Sequence, residues 1–456
     1  MDDIFAVPIV DKFLLYAPFH NLTALVNGSA LFHIQRGLLA DTQEYPALQP
    51  LVDRLHTPEK PIPTARTGPL NNPLFLGIIP TRRCNMACRY CDFAAPKQTS
   101  PVMDLGLARD AVDAYFDLLA SVGQTHGEVH FFGGEPFCAE SVVHFVVAYA
   151  AHAAADRGIG VRFEVTSNGL YNEARCQWIA DHFDTMVLSL DGPEDIQNAH
   201  RPAANGRDSF EIVSRNAAIF SAAPIELVIR TCITHHTVRR MPAIAEWISR
   251  HFLPASVCFE TLTPSLLSEQ NDLLPPDPWE FAQNFDLAAQ ILAAYGIDTV
   301  HSTAHTQDCR ASFCPIGRDA LIVSPDGMVD ACYLLHEDWE RNGLNFRIGQ
   351  LVGQQFEIDQ RVLQEVRSLT VHRKPLCTDC FCRYHCAGGC HVNHDTSGRP
   401  GEFDALCVQT RLITLTRLLR EIGQGDLAET WLADHAACEA SVWQSSDRLD
   451  VKDAVR

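Results

Sequence analysis

The stretch Thr81-Arg82-Arg83-Cys84-Asn85-Met86-Ala87-Cys88-Arg89-Tyr90-Cys91-Asp92 contains three cysteines in a C-x3-C-x2-C spacing. It follows an apolar run at residues 74–79, which predicts a buried strand and places the cysteines on the loop after it. Three thiolates this close together can hold three irons of a [4Fe–4S] cluster and leave the fourth iron open to another ligand. A structural zinc loop is the alternative interpretation of this stretch taken alone.

Strands and helices alternate from residue 73 onward. The six predicted strands are residues 74–79, 128–132, 161–166, 186–190, 226–231 and 257–260. Helical patterns lie between them, for example at residues 104–121, 139–157 and 172–182. This alternation predicts parallel βα units, in which ligand-binding residues collect at the carboxyl ends of the strands.

Short polar turns follow the second, third and fourth predicted strands: Gly133-Gly134-Glu135-Pro136, Thr166-Ser167-Asn168-Gly169 and Ser189-Leu190-Asp191-Gly192-Pro193. Glycines let a backbone approach a ligand closely, and the carboxylate of Glu135 can accept a hydrogen bond from an ammonium group. Taken alone, each stretch is equally typical of an ordinary turn at the end of a strand. Their shared position after consecutive strands favours a common ligand site.

Residues 1–70 predict a small α+β segment that precedes this alternation. Its short apolar runs are residues 12–16, 22–26 and 30–34. Asn27-Gly28 lies between the last two runs and predicts a two-residue hairpin turn. Residues 45–56 predict a short helix, and a proline-rich linker follows it.

Cysteines become dense again between residues 309 and 407. Eight of them have spacings that suit metal ligation: Cys309, Cys314, Cys332, Cys377, Cys380, Cys386, Cys390 and Cys407. Eight thiolates are the number needed for two [4Fe–4S] clusters with four cysteines each. A zinc ribbon is the alternative for this region. Residues 410–435 then predict a helical tail.

Composition and charge restrict the classes of function. The formal net charge is −20 without a basic tract, so we expect neither nucleic-acid binding nor binding to an anionic membrane. No apolar run is long enough to predict a transmembrane helix, and the acidic start does not predict a secretory signal. Seventeen cysteines without such a signal favour metal or redox chemistry in a reducing compartment, so we expect a cytoplasmic protein.

The cysteine loop and the turns that follow it resemble the signature of the radical S-adenosylmethionine (SAM) superfamily. The later cysteines resemble the twin-cluster SPASM domain of one of its subgroups. The resemblance covers about residues 73–410 and implies an α/β fold with a partial (β/α)6 barrel. The implied units are a barrel at 73–300, a cysteine-rich SPASM domain at 305–410 and a helical tail at 411–456, after the small segment at 1–70.

This resemblance implies SAM and three [4Fe–4S] clusters as cofactors. The SAM-binding cluster would use Cys84, Cys88 and Cys91. The first auxiliary cluster would use Cys309, Cys314, Cys332 and Cys390, and the second would use Cys377, Cys380, Cys386 and Cys407. The implied SAM contacts are Tyr90, Gly133, Gly134, Glu135, Pro136, Ser167, Asn168, Ser189, Asp191 and Arg201. Arg201 would pair with the SAM carboxylate, or it would brace a loop.

Proteins of this subgroup mostly modify ribosomal peptides or proteins. The resemblance therefore implies a peptide maturase, in which a 5′-deoxyadenosyl radical takes hydrogen from a ribosomal precursor peptide. An intramolecular side-chain crosslink (C–C, thioether or ether) would then close. A flavodoxin- or ferredoxin-type protein would supply electrons. Residues 1–70 loosely resemble small precursor-recognition domains, which bind a leader peptide as an added strand; a strand ribbon packed on the barrel is the other interpretation.

An anaerobic sulfatase-maturating enzyme, which oxidises Cys or Ser to formylglycine, is the alternative within this class. That group usually has Asp where Tyr333 follows Cys332, and it tends to have Gln where Phe132 precedes the Gly-Gly-Glu-Pro turn. Asp330 or Glu260 could supply the catalytic base in place of that Asp. A non-catalytic iron–sulfur electron carrier is the alternative from another class, and the SAM-side turns argue against it.

Overall fold

The computed structural model describes residues 3–40, 46–91, 93, 99–443 and 446–449. Its first unit is an antiparallel sheet of β1 (Phe5–Ile9), β2 (Lys12–Ala17) and β3 (Leu22–Val26), in that order. Two helices follow, α1 (Gly28–Ala40) and α2 (Gln49–His56). The predicted helix at 45–56 thus begins at Gln49, and residue 45 lies outside the described part of the chain.

The hairpin predicted at Asn27-Gly28 is wrong, because residues 30–34 belong to α1. The side chain of Asn27 accepts a hydrogen bond from the backbone N–H of Ala30 at 2.8 Å, which satisfies a free donor in the first turn of the helix. Leu31, Ile34 and Leu38 then repeat at helical spacing and are buried. The helical period of the apolar residues overrides the local turn signal.

Six parallel βα units form the centre of the molecule, as predicted. Their strands are β4 (Leu76–Ile78), β5 (His126–Phe131), β6 (Gly160–Ser167), β7 (Thr185–Ser189), β8 (Glu226–Ile233) and β9 (Ser256–Thr261). Each pairs in parallel with the next. The helices between them are α3 (Leu105–Ser121), α4 (Glu140–Asp156), α5 (Glu173–His182), α6 (Glu194–His200), α7 (Phe210–Ala222) and α8 (Met241–His251).

The cysteine-rich region extends the same sheet. Its strands are β10 (Asp298–Val300), β11 (Leu321–Val323), β12 (Met328–Asp330), β13 (Arg347–Val352) and β14 (Gln355–Ile358). β10 pairs with β9, while β11 pairs in parallel with β4 and begins an antiparallel series that ends at β14. The eleven strands therefore run from β10 at one edge to β14 at the other. The sequence did not predict this continuity.

The remaining helices cover the sheet and lead back to the first unit. They are α9 (Leu266–Gln270), α10 (Pro278–Ala293), α11 (His336–Arg341), α12 (Gln360–Arg367), α13 (Arg383–Cys386), α14 (Ala405–Glu421), α15 (Gly425–Ala433) and α16 (His435–Val442). The single tail helix predicted at 410–435 is thus divided, and the backbone at Gly423 has a φ of 74° where α14 ends. Residues Asp447 and Leu449 then hydrogen-bond to the backbone of Ala6 and Ile4.

One helical segment, Pro136–Asp156, is long and apolar enough by composition to cross a membrane. It contains α4, whose buried face contacts α3 and β6. Half of the residues in its most apolar stretch are buried within the molecule. Such burial is typical of a helix in the core of a βα domain.

Candidate active site

A cavity of about 260 Å³ opens at the carboxyl ends of the parallel strands. All three cysteines of the first loop line it, together with eight predicted SAM contacts: Tyr90, Gly133, Gly134, Ser167, Asn168, Ser189, Asp191 and Arg201. Glu135 and Pro136 are not among the lining residues. The fold therefore brings motifs that are more than 100 positions apart in the sequence to a single site.

Backbone hydrogen bonds hold the cysteine loop against the segment that follows α6. The N–H of Ala87 donates to the carbonyl of Pro202 at 2.8 Å, and the N–H of Arg89 donates to that of His200 at 2.9 Å. The N–H of Ala204 donates to the carbonyl of Asn85 at 2.8 Å. These bonds fix the loop that carries Cys84, Cys88 and Cys91 on both sides of the middle cysteine.

The glycines of the Gly-Gly-Glu-Pro turn allow it to touch the cysteine loop. A Cβ atom on Gly134 would lie 2.3 Å from the carbonyl oxygen of Arg83, and one on Gly133 would lie 2.5 Å from that of Thr81. Gly133 also has a φ of 145°, which other residues rarely adopt. The sequence predicts that these glycines let a ligand approach, whereas the structure shows that backbone packing already requires them.

Glu135 is buried and joins two of the predicted motifs. Its carboxylate accepts hydrogen bonds from Ser167 Oγ at 2.9 Å and from the N–H of Asn168 at 2.8 Å. Burial raises its pKa, although these hydrogen bonds oppose the rise. The carboxylate thus locks the turn after β6 beside the turn after β5.

Tyr90, Asp191 and Arg201 form a network in the cavity wall. The Tyr90 hydroxyl donates to Asp191 Oδ2 at 2.7 Å and accepts from Arg201 Nη1 at 2.8 Å. Burial works to raise the pKa of Asp191, but His200, Arg201 and Tyr90 outweigh it and the pKa is lowered. Asp191 is therefore an ionised group that orients Tyr90, and through Tyr90 it orients Arg201.

The residues present fit an iron–sulfur cluster with SAM beside it. Cys84 Sγ accepts from the N–H of Met86 at 3.4 Å and from Asn168 Nδ2 at 3.5 Å, and such hydrogen bonds stabilise a ligating thiolate. Burial raises the pKa of Cys84 to about 12 and that of Cys88 to about 11, so bound metal would be needed to keep both ionised. Nε of Arg201 is buried without a hydrogen-bond partner among the described residues, which leaves a donor for an anionic ligand.

The two candidate bases lie in different places. Glu260 lines the cavity, and its carboxylate accepts from the N–H and hydroxyl of Ser302 at 3.1 and 2.9 Å. Burial would raise its pKa, yet His301 and Arg230 lower it overall. Asp330 is not among the residues lining the cavity; it is buried on β12 and pairs with Arg347 at 3.2 Å. Of the two, Glu260 is the one placed near the cysteine loop.

Tyr333 fills the space beside β4. Its ring lies 4.7 Å from that of Phe132, measured between centroids, and Phe132 lines the cavity. A Cβ on Gly77 would lie 2.6 Å from the Tyr333 hydroxyl, so only glycine fits beneath this ring. The two positions that depart from the sulfatase-maturase pattern are therefore in contact with each other.

Three predicted ligands of the first auxiliary cluster are grouped. Burial raises the pKa of Cys332, and the neighbouring Cys314 and Cys390 raise it further. Cys309 packs instead with a cluster of Phe19, Val371, Cys377 and Tyr384. Its membership of the first set remains a prediction.

All four predicted ligands of the second auxiliary cluster are grouped. Burial raises the pKa of Cys407, and Cys386, Cys380 and Cys377 raise it further. Arg411 donates from Nη1 to Cys380 Sγ at 3.2 Å and pairs with the buried Asp447. The sequence does not predict this role of Arg411, because no local motif distinguishes it from other charged residues of a helix.

Sequence analysis also missed Arg230, on β8, which lines the cavity. A signal was present, since Arg230 directly follows the apolar residues 227–229 within β8, and arginine is rare in such a strand.

The fold and the cavity define a parallel βα domain with a cysteine-bearing loop at the carboxyl ends of its strands. Residues 78–248 match the family model described as "Radical SAM superfamily". These residues therefore form a radical SAM domain, and the predicted resemblance and fold class are confirmed.

Known relatives include anaerobic sulfatase-maturating enzymes. The cysteine-type anaerobic sulfatase-maturating enzyme of Clostridium perfringens (strain 13 / Type A) is 27% identical over 224 residues, which are 47% of this chain and 60% of the relative. The match thus spans about three-fifths of that relative's length.

Solved structures share the fold. Native anSMEcpe with bound AdoMet has a TM-score of 0.59 and 19% identity, and the match covers 77% of this chain and 99% of that one. Streptococcus suis SuiB bound to the precursor peptide SuiA has a TM-score of 0.50 and 13% identity, with 86% of this chain and 95% of that one covered.

Proposed function

We propose that this protein is a radical SAM maturase that oxidises a ribosomal precursor peptide and closes a crosslink between its side chains. One observation carries the proposal: the three loop cysteines and residues from each of the three SAM-side turns line one cavity. The wall formed by β8 and β9 adds Arg230, Cys232 and Glu260, which none of the SAM-side motifs includes. This wall is the proposed location of the substrate.

Each part of the cavity has a role in this proposal. When bound, a reduced [4Fe–4S] cluster and SAM supply a 5′-deoxyadenosyl radical that takes hydrogen from an unactivated carbon. Cys84, Cys88 and Cys91 would hold the cluster, and Arg201 would pair with the SAM carboxylate while Tyr90 keeps it oriented. Glu260 would accept the proton that leaves when the crosslink forms.

The eight later cysteines would hold two further [4Fe–4S] clusters. Their burial in two groups and the Arg411 hydrogen bond to Cys380 Sγ fit thiolate ligation. Such clusters would supply an acceptor for the electron that is released together with the proton. We expect Cys380→Ala to lose about four irons per chain and to stop product formation. Normal product from this variant would contradict the acceptor role.

Formylglycine formation is the second candidate, and the similarity to a sulfatase-maturating enzyme favours it. Crosslinking is preferred because Tyr333 and Phe132 occupy positions where that group has polar residues. Incubation with a sulfatase-derived Cys or Ser peptide separates the two. An aldehyde on the peptide would establish the second candidate, and its absence together with a crosslinked precursor would establish the first.

The first experiment is anaerobic reconstitution, followed by iron and sulfide analysis and by SAM cleavage with a reductant. The proposal expects about twelve irons per chain and release of 5′-deoxyadenosine. About four irons per chain, with zinc bound by the later cysteines, would contradict the assignment of two auxiliary clusters. No deoxyadenosine from iron-loaded protein would leave an iron–sulfur electron carrier.

The first sheet is the proposed site of precursor recognition. Among the described residues, β3 pairs with β2 alone, so its outer edge can accept another strand. Tyr16 on β2 hydrogen-bonds His385, next to Cys386, which ties this sheet to the cysteine-rich region. When precursor peptide is added, backbone hydrogen exchange of the protein should slow at Leu22–Val26. Unchanged exchange there would show that the sheet only packs against the rest of the molecule.

A cytoplasmic flavodoxin- or ferredoxin-type protein is the proposed electron donor.

A further inference from the structure

Arg230 has an unusual place for a strand arginine. Along β8, Leu227, Ile229 and Ile233 are buried among the core residues, whereas Arg230 is exposed on the alternate face, toward the cavity. The strand register pairs it with Ser189 on one side and Cys258 on the other. The guanidinium is thus presented on the same wall as the predicted SAM contact Ser189.

No hydrogen bond or ion pair within the described part of the chain uses the Arg230 side chain. Glu260 is the carboxylate that acts most strongly on the charge of Arg230. However, Ser302 and Cys258 already donate hydrogen bonds to its oxygens. Asp191 is likewise engaged by Tyr90 and His200. The cavity therefore presents an arginine whose donors are free, while its carboxylates are occupied.

The other cavity arginine has a different setting. Arg201 donates to Tyr90, and its Nε, which has no hydrogen-bond partner among the described residues, fits the carboxylate of SAM. SAM has only one carboxylate. A second free guanidinium then fits a second anion. A guanidinium matches a carboxylate through two parallel hydrogen bonds, and enclosing it without a partner is unfavourable.

We propose that Arg230 binds a carboxylate of the peptide substrate, so that the modified segment contains an Asp or Glu next to the reacting residue. This inference rests on the proposed function and specifies in addition that the peptide substrate carries a negative charge near the reacting residue. A peptide with Asn or Gln in place of this Asp or Glu would leave Arg230 without a carboxylate once the bound substrate excludes water from the cavity. The free carboxyl terminus of a peptide is the other source of the same chemistry.

The test first separates Arg230 from SAM binding. The dissociation constant of SAM is measured on iron-loaded wild-type protein, Arg230→Gln, Arg230→Lys and Arg201→Gln. We expect Arg201→Gln to weaken SAM binding and both Arg230 variants to stay within about twofold of wild type. Weaker SAM binding by Arg230→Gln would assign this arginine to SAM and overturn the inference.

The second step uses three matched synthetic peptide pools: one with Asp and Glu, one with Asn and Gln in their places, and one with Asp and Glu but an amidated carboxyl terminus. Mass loss of two hydrogens per peptide reports the product. Wild type should favour the first and third pools over the second by about 10- to 100-fold. Arg230→Gln should lose that preference, and Arg230→Lys should retain part of it.

Each other result has one meaning. Equal product from the first two pools would contradict the proposal that Arg230 binds a carboxylate. Product from the first pool alone would show that Arg230 binds the carboxyl terminus of the peptide instead of a side chain. If none of the pools gave product while deoxyadenosine was still released, the proposal of an acidic peptide substrate would be contradicted. Loss of deoxyadenosine release from wild type would instead overturn the proposed function.

Discussion

At the scale of single residues, the three loop cysteines are the proposed ligands of the SAM-binding cluster. We predict that Cys88→Ala abolishes SAM cleavage, because two remaining thiolates cannot hold the site-differentiated cluster. Cys176→Ala is the matched control, since Cys176 is also buried but lies on α5 and does not line the cavity. The measurement is 5′-deoxyadenosine release with iron content, and equal release from both variants would contradict the assignment.

Gly134 is a second residue with a sharp steric requirement. A Cβ there would lie 2.4 Å from the carbonyl oxygen of Arg82 and still closer to that of Arg83, and backbone atoms cannot move aside cheaply. We predict that Gly134→Ala lowers the free energy of unfolding by about 1–3 kcal/mol and weakens SAM binding. Gly28→Ala, whose Cβ would lie 3.8 Å from a Phe13 side-chain atom, should leave both unchanged. Urea unfolding and SAM titration of the two variants provide the comparison.

At the scale of elements, a side-chain cap begins α3, the helix that follows the cysteine loop. Asp104 accepts from the N–H groups of Gly106 at 2.7 Å and Leu107 at 3.3 Å, at the start of α3. We predict that Asp104→Ala lowers the free energy of unfolding by about 0.5–2 kcal/mol, since two donors lose their partner. Asp110→Ala changes an exposed ion pair with Arg109 on the same helix and should have little effect. Thermal unfolding that moves equally in both variants would contradict the cap.

At the scale of the whole molecule, a buried ion pair connects the end of the described chain to the cysteine-rich region. Asp447 accepts from both terminal nitrogens of Arg411, at 2.5 and 2.9 Å, and Arg411 also contacts Cys380. Asp447→Ala leaves a buried guanidinium uncompensated, and we predict a loss of about 3–5 kcal/mol in unfolding free energy. The double variant Arg411→Met/Asp447→Leu should recover much of that loss. A mild effect of Asp447→Ala would show that water reaches Arg411.

Sequence reasoning succeeded where the signal is local and periodic. The six strands, their helices and the carboxyl-end position of the motifs follow from apolar spacing, because a buried strand needs a continuous apolar run wherever it lies. It failed at Asn27-Gly28, where a turn dipeptide preceded a helical repeat. It also missed the pairing of β11 with β4, because strand pairing over more than 200 positions leaves no local pattern.

The sequence by itself determined the chemistry of this protein, since cysteine spacing and polar turns after consecutive strands need no tertiary contact to be recognised. Only the tertiary structure decided which groups are already engaged and which remain free. Asp191 and Glu260 are occupied by hydrogen-bond donors from other parts of the chain, while the Arg230 side chain makes no hydrogen bond or ion pair among the described residues. Hydrogen-bond saturation depends on which strands lie side by side, and that arrangement arises only when the whole sheet has formed.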